Sequence, residues 1–125
     1  MDNVVDMRYN IYEVSEMPKR KIFMENYIIA TMDELGRILV PKDVRISFDW
    51  SRNTPLTIAY NIEESMAWVS NADGKMLGFP TKLDAQGRIT IPKAIAQALE
   101  WKQGTQIALT PSHSGHRLAL IRIKK

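Results

Sequence analysis

A ten-residue pattern, Asp-x-x-Gly-Arg-Ile-x-(Val/Ile)-Pro-Lys, occurs twice in the chain, as DELGRILVPK at residues 33–42 and as DAQGRITIPK at residues 84–93. Under a shift of 51, residues 32–60 align with residues 83–111 without a gap, and eight of the 29 pairs are identical. These are Asp33/Asp84, Gly36/Gly87, Arg37/Arg88, Ile38/Ile89, Pro41/Pro92, Lys42/Lys93, Trp50/Trp101 and Thr54/Thr105. Unrelated segments of average composition would share roughly two. The chain therefore carries an internal duplication, and whatever it folds into must suit two like units at once.

Each unit reads as strand, turn, strand, helix, strand, turn, strand. The stretch NYIIATM before Asp33 and RILV after Gly36 are apolar and partly β-branched, as strands are. Asp-x-x-Gly between them is turn chemistry: the carboxylate accepts from nearby backbone N–H groups, and glycine takes a positive φ at little cost. Pro41 and Pro92 end the strand and suit the first turn of a helix. In the second unit KAIAQALEW is alanine-rich, with Ile95 and Leu99 four apart, a helical pattern. In the first unit Val44, Ile46, Phe48 and Trp50 alternate as a strand would, yet homologous units share a fold, so both are expected to be helical. Gly104 is expected to close the second helix, with Asn53 as its left-handed counterpart in the first. Terminal hairpins follow, with turns at NIEES and PSHSGH.

The 125 residues divide into an N-terminal extension, 1–25, a first unit, 26–75, and a second unit, 76–125. One unit of this size cannot bury both faces of its strands, so the units are expected to share one core, within the chain or between chains. The chain has no cysteine, which excludes disulfides, thiolate metal sites and cysteine nucleophiles. No apolar run approaches the ~20 residues of a membrane helix, and a cytoplasmic protein is expected. Charge is uneven: residues 1–75 hold 9 Lys+Arg against 12 Asp+Glu, whereas residues 76–125 hold 8 against 2. Such asymmetry points to a polyanionic partner for the second half.

The segments MDELGRILVPKDVR and LDAQGRITIPKAIAQAL, followed by GTQIALTPSHSGHRLALIRIKK, resemble the AbrB/MazE/SpoVT superfamily of swapped-hairpin DNA-binding domains over residues 27–125. The resemblance implies a mainly β fold with short helices, a swapped-hairpin barrel built from two tandem ββαββ units. Two copies on one chain also resemble MraZ, although a spacing of 51 is shorter than that family's and favours a tandem AbrB-like regulator. It further implies duplex DNA as partner, gripped by basic residues on one face, a homo-oligomer, and no cofactor.

Candidate DNA contacts are Arg37 and Arg88 after the turn glycines, and Lys42 and Lys93 after the prolines. Guanidinium groups suit phosphates and guanine edges, and lysines suit phosphates. Arg37 and Arg88 have an equally plain structural use, pairing with Asp33 and Asp84. Arg45 and Lys82 match basic positions of the family, but their equivalents are Ala96 and Thr31, so basic positions are traded between the halves and recognition should be asymmetric. The run Lys19-Arg20-Lys21 is an arm that either reaches DNA or is simply solvated. The only histidines, His113 and His116, fall in one turn, which is read as exposed and not as a metal site. No enzymatic constellation is evident. The alternatives are a MazE-like antitoxin, disfavoured by the basic ending IRIKK where an acidic toxin-wrapping tail belongs, and an oligomerisation module without DNA binding.

Overall fold

The computed structural model describes residues 28–72, 78–112 and 116–123. The N-terminal extension with its Lys19-Arg20-Lys21 run, and His113, lie outside the described residues. The fold is mainly β, with two short helices. In chain order the elements are β1 (Ile28–Thr31), β2 (Arg37–Leu39), α1 (Lys42–Phe48), β3 (Leu56–Asn61), β4 (Met66–Asn71), β5 (Phe79–Thr81), β6 (Arg88–Thr90), α2 (Lys93–Leu99), β7 (Gln106–Ser112) and β8 (Arg117–Arg122). The second five repeat the first five in kind and order.

Six strands form one antiparallel sheet in the order β1-β7-β8-β4-β3-β5, and β2 pairs with β6 in a separate ribbon. Apart from the two hairpins β3–β4 and β7–β8, every ladder joins one half to the other. The registers obey the shift of 51. Ile28 pairs with Leu109 as Phe79 pairs with Ile58, and the equivalent residues Ile38 and Ile89 face each other, as do Trp68 and Ala119. An approximate two-fold axis therefore passes through the middle of both β2–β6 and β4–β8.

The expected closed barrel is not formed among the described residues. β1 and β5 end the sheet as edges of four and three residues. The chain passes from β1 and from β5 to the ribbon through turns closed by Asp33 N–H to Arg37 C=O and Asp84 N–H to Arg88 C=O, with one isolated bridge, Leu83 to Ile89, and no continuous ladder. Strand alternation sends Leu56, Ile58, Val69, Ile107, Leu109, Leu118 and Leu120 to one side of the sheet, where they join Ile38 and Ile89 of the ribbon and Val44, Phe48, Ile95 and Leu99 of the helices in one buried cluster. On the opposite side Trp68 is half-buried, with the Arg117 guanidinium 5.7 Å from its ring centroid.

The first helix forms despite its alternating pattern because only three of the four apolar residues turn inward. Val44, Phe48 and Trp50 are buried, while Ile46 is 65% exposed. Both helices end differently from expectation. Asp49 (φ 59°) and Glu100 (φ 61°) adopt the left-handed conformation, and Trp50 and Trp101 donate their N–H groups to the carbonyls of Arg45 and Ala96. This is a Schellman ending without glycine. Burial of the tryptophan one residue later holds each non-glycine residue in that conformation. Gly104 (φ 90°) lies in the following turn, and Asn53 has no positive φ. Pro41 and Pro92 stand one residue ahead of the helices, at the N-caps.

Candidate nucleic-acid interface

The two repeated turns share one bonding scheme. Asp33 Oδ1 accepts from the backbone N–H groups of Leu35 (2.9 Å) and Arg37 (2.8 Å), and its Oδ2 accepts from Arg37 Nε (2.8 Å). Asp84 does the same with Gln86 (2.9 Å), Arg88 (2.9 Å) and Arg88 Nε (2.9 Å). One carboxylate therefore shapes the turn and orients the arginine. With Nε bound to the aspartate, each guanidinium still has Nη donors, the groups with which arginine can meet a further acceptor or anion.

Arg37 and Arg88 lie on the same face of the β2–β6 ribbon, opposite the buried Ile38 and Ile89. Arg37 Nη1 comes within 4.0 Å of Asp84 Oδ2, so the two turns are coupled across the ribbon. Arg88 Nη2 also donates to Gln86 Oε1 at 3.0 Å, a partner that the sequence pattern did not flag, since its equivalent in the first unit is Leu35. Both arginines are about a quarter exposed, and the pairing with aspartate is a structural use of each.

Both carboxylates are held below their ordinary value of 3.8, mainly by the backbone N–H bond from the arginine; partial desolvation opposes this, and further bonds from the turn add to it. A folded-state value below the unfolded one means the turns contribute stability above pH ~4, which is lost as pH falls through the lowered values. We expect the urea midpoint of the wild type to fall between pH 5 and about 2, and to fall less in an Asp33→Asn, Asp84→Asn variant. The same decline in both proteins would remove these turns as the acid-sensitive element.

The remaining candidates do not stay with their own units. Val40 N–H donates to Gly87 C=O (2.9 Å), and Ile91 N–H donates to Gly36 C=O (2.8 Å). Each turn therefore abuts the start of the other unit's helix. Lys42 and Arg45 thus stand by the Gly87 turn that leads into Arg88, and Lys93 by the Gly36 turn that leads into Arg37, whereas Lys82 precedes Leu83, which bridges Ile89. Lys42, Lys82 and Lys93 are exposed, while Arg45 is half-buried. Arg45 Nε donates to Val40 C=O at 2.9 Å, and its guanidinium lies over Gly87, where a Cβ would come within 2.7 Å of Cζ. Arg45 thus clamps its helix to the opposing turn, a use that spacing along the chain does not reveal.

No group of three His, Cys, Asp or Glu side chains suited to a metal occurs among the described residues, where His116 is exposed with φ 52°. No described helix is long and apolar enough to cross a membrane. No family model and no curated protein matches the chain. Among solved structures, the solution structure of PHS018 from Pyrococcus horikoshii is similar over 80% of this chain and 94% of that one, with 20% identity and a TM-score of 0.48.

Proposed function

We propose that the chain is a DNA-binding transcriptional regulator of the AbrB/SpoVT type, a tandem swapped-hairpin protein acting in the cytoplasm on duplex DNA, with further copies of itself as partners. The observation that carries this reading is the ribbon face on which Arg37 and Arg88 emerge together, each with Nε bound by aspartate and about a quarter exposed. Exchange of edge strands between the halves supports the swapped-hairpin part of the reading. Lys42, Lys82 and Lys93 flank that face and have the chemistry of phosphate contacts. Arginines fixed in this way lose little conformational freedom on meeting a phosphate or a guanine edge.

Duplex affinity is expected to fall steeply between 50 and 200 mM salt, as counterions released by bound cations are paid back. Arg88→Ala should weaken binding about tenfold or more while leaving the fold intact, because the backbone N–H of residue 88 still bonds Asp84. Fluorescence anisotropy with a labelled duplex, and a thermal melt of the variant, read the two effects. Full affinity in a folded Arg88→Ala protein would leave that arginine with the turn alone. A second reading, a module that only self-associates, is favoured by Leu35 and Ile46, which are 62% and 65% exposed where the second unit has Gln86 and Gln97. Retention of no duplex at 50 mM salt, together with self-association, would select it.

A further inference from the structure

Arg37 and Leu39 flank the buried Ile38 in β2, and Arg88 and Thr90 flank the buried Ile89 in β6. Alternation therefore leaves these four side chains as the outward face of the ribbon. Register sets Leu39 directly opposite Arg88, and Thr90 directly opposite Arg37. Residues paired in this way share a face, with Cβ atoms about 5 Å apart. Each arginine is held by its aspartate, and Arg88 also by Gln86. Leu39 is thus a large aliphatic side chain, 49% exposed, set beside an anchored cation.

The fold makes no demand for leucine at that position. Thr90 is its equivalent across the approximate axis, is exposed as well, and stands in the same register. A ribbon that forms with threonine on one strand does not need leucine on the other to form. The apolar surface of Leu39 is free for a contact outside the chain.

The grooves of DNA restrict what that contact can be. The major groove, ~12 Å wide, admits a two-stranded ribbon, whereas the minor groove is only ~6 Å wide. Base edges in the major groove present donors, acceptors and one apolar group, the C5-methyl of thymine. A leucine laid on donors or acceptors would displace their water and return no bond. Laid on a methyl group, it removes apolar surface from water on both sides.

We propose that Leu39 is a base-reading residue: the ribbon enters the major groove by this face, and Leu39 packs on the C5-methyl group of a thymine beside the nucleotide that Arg88 meets. This rests on the DNA-binding reading above and deepens it, because phosphate contacts alone carry no sequence information. Thr90, with both a methyl and a hydroxyl group, is the tolerant counterpart.

The test begins with duplexes selected from a random pool by the wild-type protein. In the tightest binder each thymine is replaced singly by deoxyuridine, which removes the methyl group and nothing else. One replacement is expected to weaken wild-type binding about fourfold, the effect of burying one methyl group. Leu39→Thr, which repeats the residue already present at position 90, should keep its stability in urea, bind the parent duplex about fourfold more weakly, and be indifferent to that replacement. Leu39→Ala serves in its place should threonine harm the fold, and the deoxyuridine scan of the wild type needs neither variant. A selected pool with no common thymine, a scan in which no methyl group matters, or an equal loss in wild type and Leu39→Thr would overturn the role of Leu39 while leaving DNA binding in place. A wild-type chain that retains no duplex at about 50 mM salt would overturn the DNA reading and this inference with it.

Discussion

Produced without the first half, residues 76–125 will have no folded monomer. Of the ladders that involve β5, β6, β7 and β8, only β7–β8 lies within that segment; β5 needs β3, β6 needs β2, β8 needs β4, and the other side of β7 is covered by β1. A lone hairpin and a seven-residue helix are below what water tolerates. The approximate axis does allow one escape. Where Ile38 meets Ile89 and Trp68 meets Ala119, a second copy could supply the missing equivalents, so that β6 pairs with β6 and β8 with β8. That dimer would set Ala119 against Ala119, lose the Trp68 side chain, and bring together two segments of balance +6 each. Any folding should therefore rise with protein and salt concentration, as measured by far-ultraviolet circular dichroism together with sedimentation. A cooperative melt of a monomeric half, independent of concentration, would contradict a core shared between the halves.

How much of this was legible beforehand depends on whether the information was local. The repeat, the turn at Asp-x-x-Gly and the order of elements follow from short-range chemistry, and comparison of the two copies correctly overruled the strand-like alternation of Val44, Ile46, Phe48 and Trp50. Helix ends were less legible. Asn53 and Gly104 are ordinary left-handed residues by type, but the buried tryptophans moved that conformation to Asp49 and Glu100. Sheet closure depends on the edges of β1 and β5, which no pattern within a strand encodes. Asp33–Arg37 and Asp84–Arg88 could be foreseen as pairs because they lie four residues apart. Arg45 over Gly87 could not, since the two are 42 positions apart and belong to different units.

Gly87→Val will destabilise the protein by about 3 kcal/mol, against about 1.5 kcal/mol for Gly104→Val. Both glycines have positive φ, 84° and 90°, so any L side chain is strained there, at a cost of roughly 1–2 kcal/mol. Surroundings separate them. A Cβ at residue 104 meets nothing within 4 Å, whereas at residue 87 it enters the Arg45 guanidinium, 2.7 Å from Cζ and 2.8 Å from Nε. Arg45 is flexible and will swing aside, but it then gives up its bond to Val40 C=O, a loss of about 1 kcal/mol, and uncovers a buried turn. Urea denaturation of both variants checks the difference. Its cause is checked by a double-mutant cycle: Arg45→Ala should destabilise the wild type but add almost nothing to Gly87→Val, in which the arginine has already left its place. Full additivity would mean that the valine leaves Arg45 where it is, and the extra cost at residue 87 would then belong to the backbone alone.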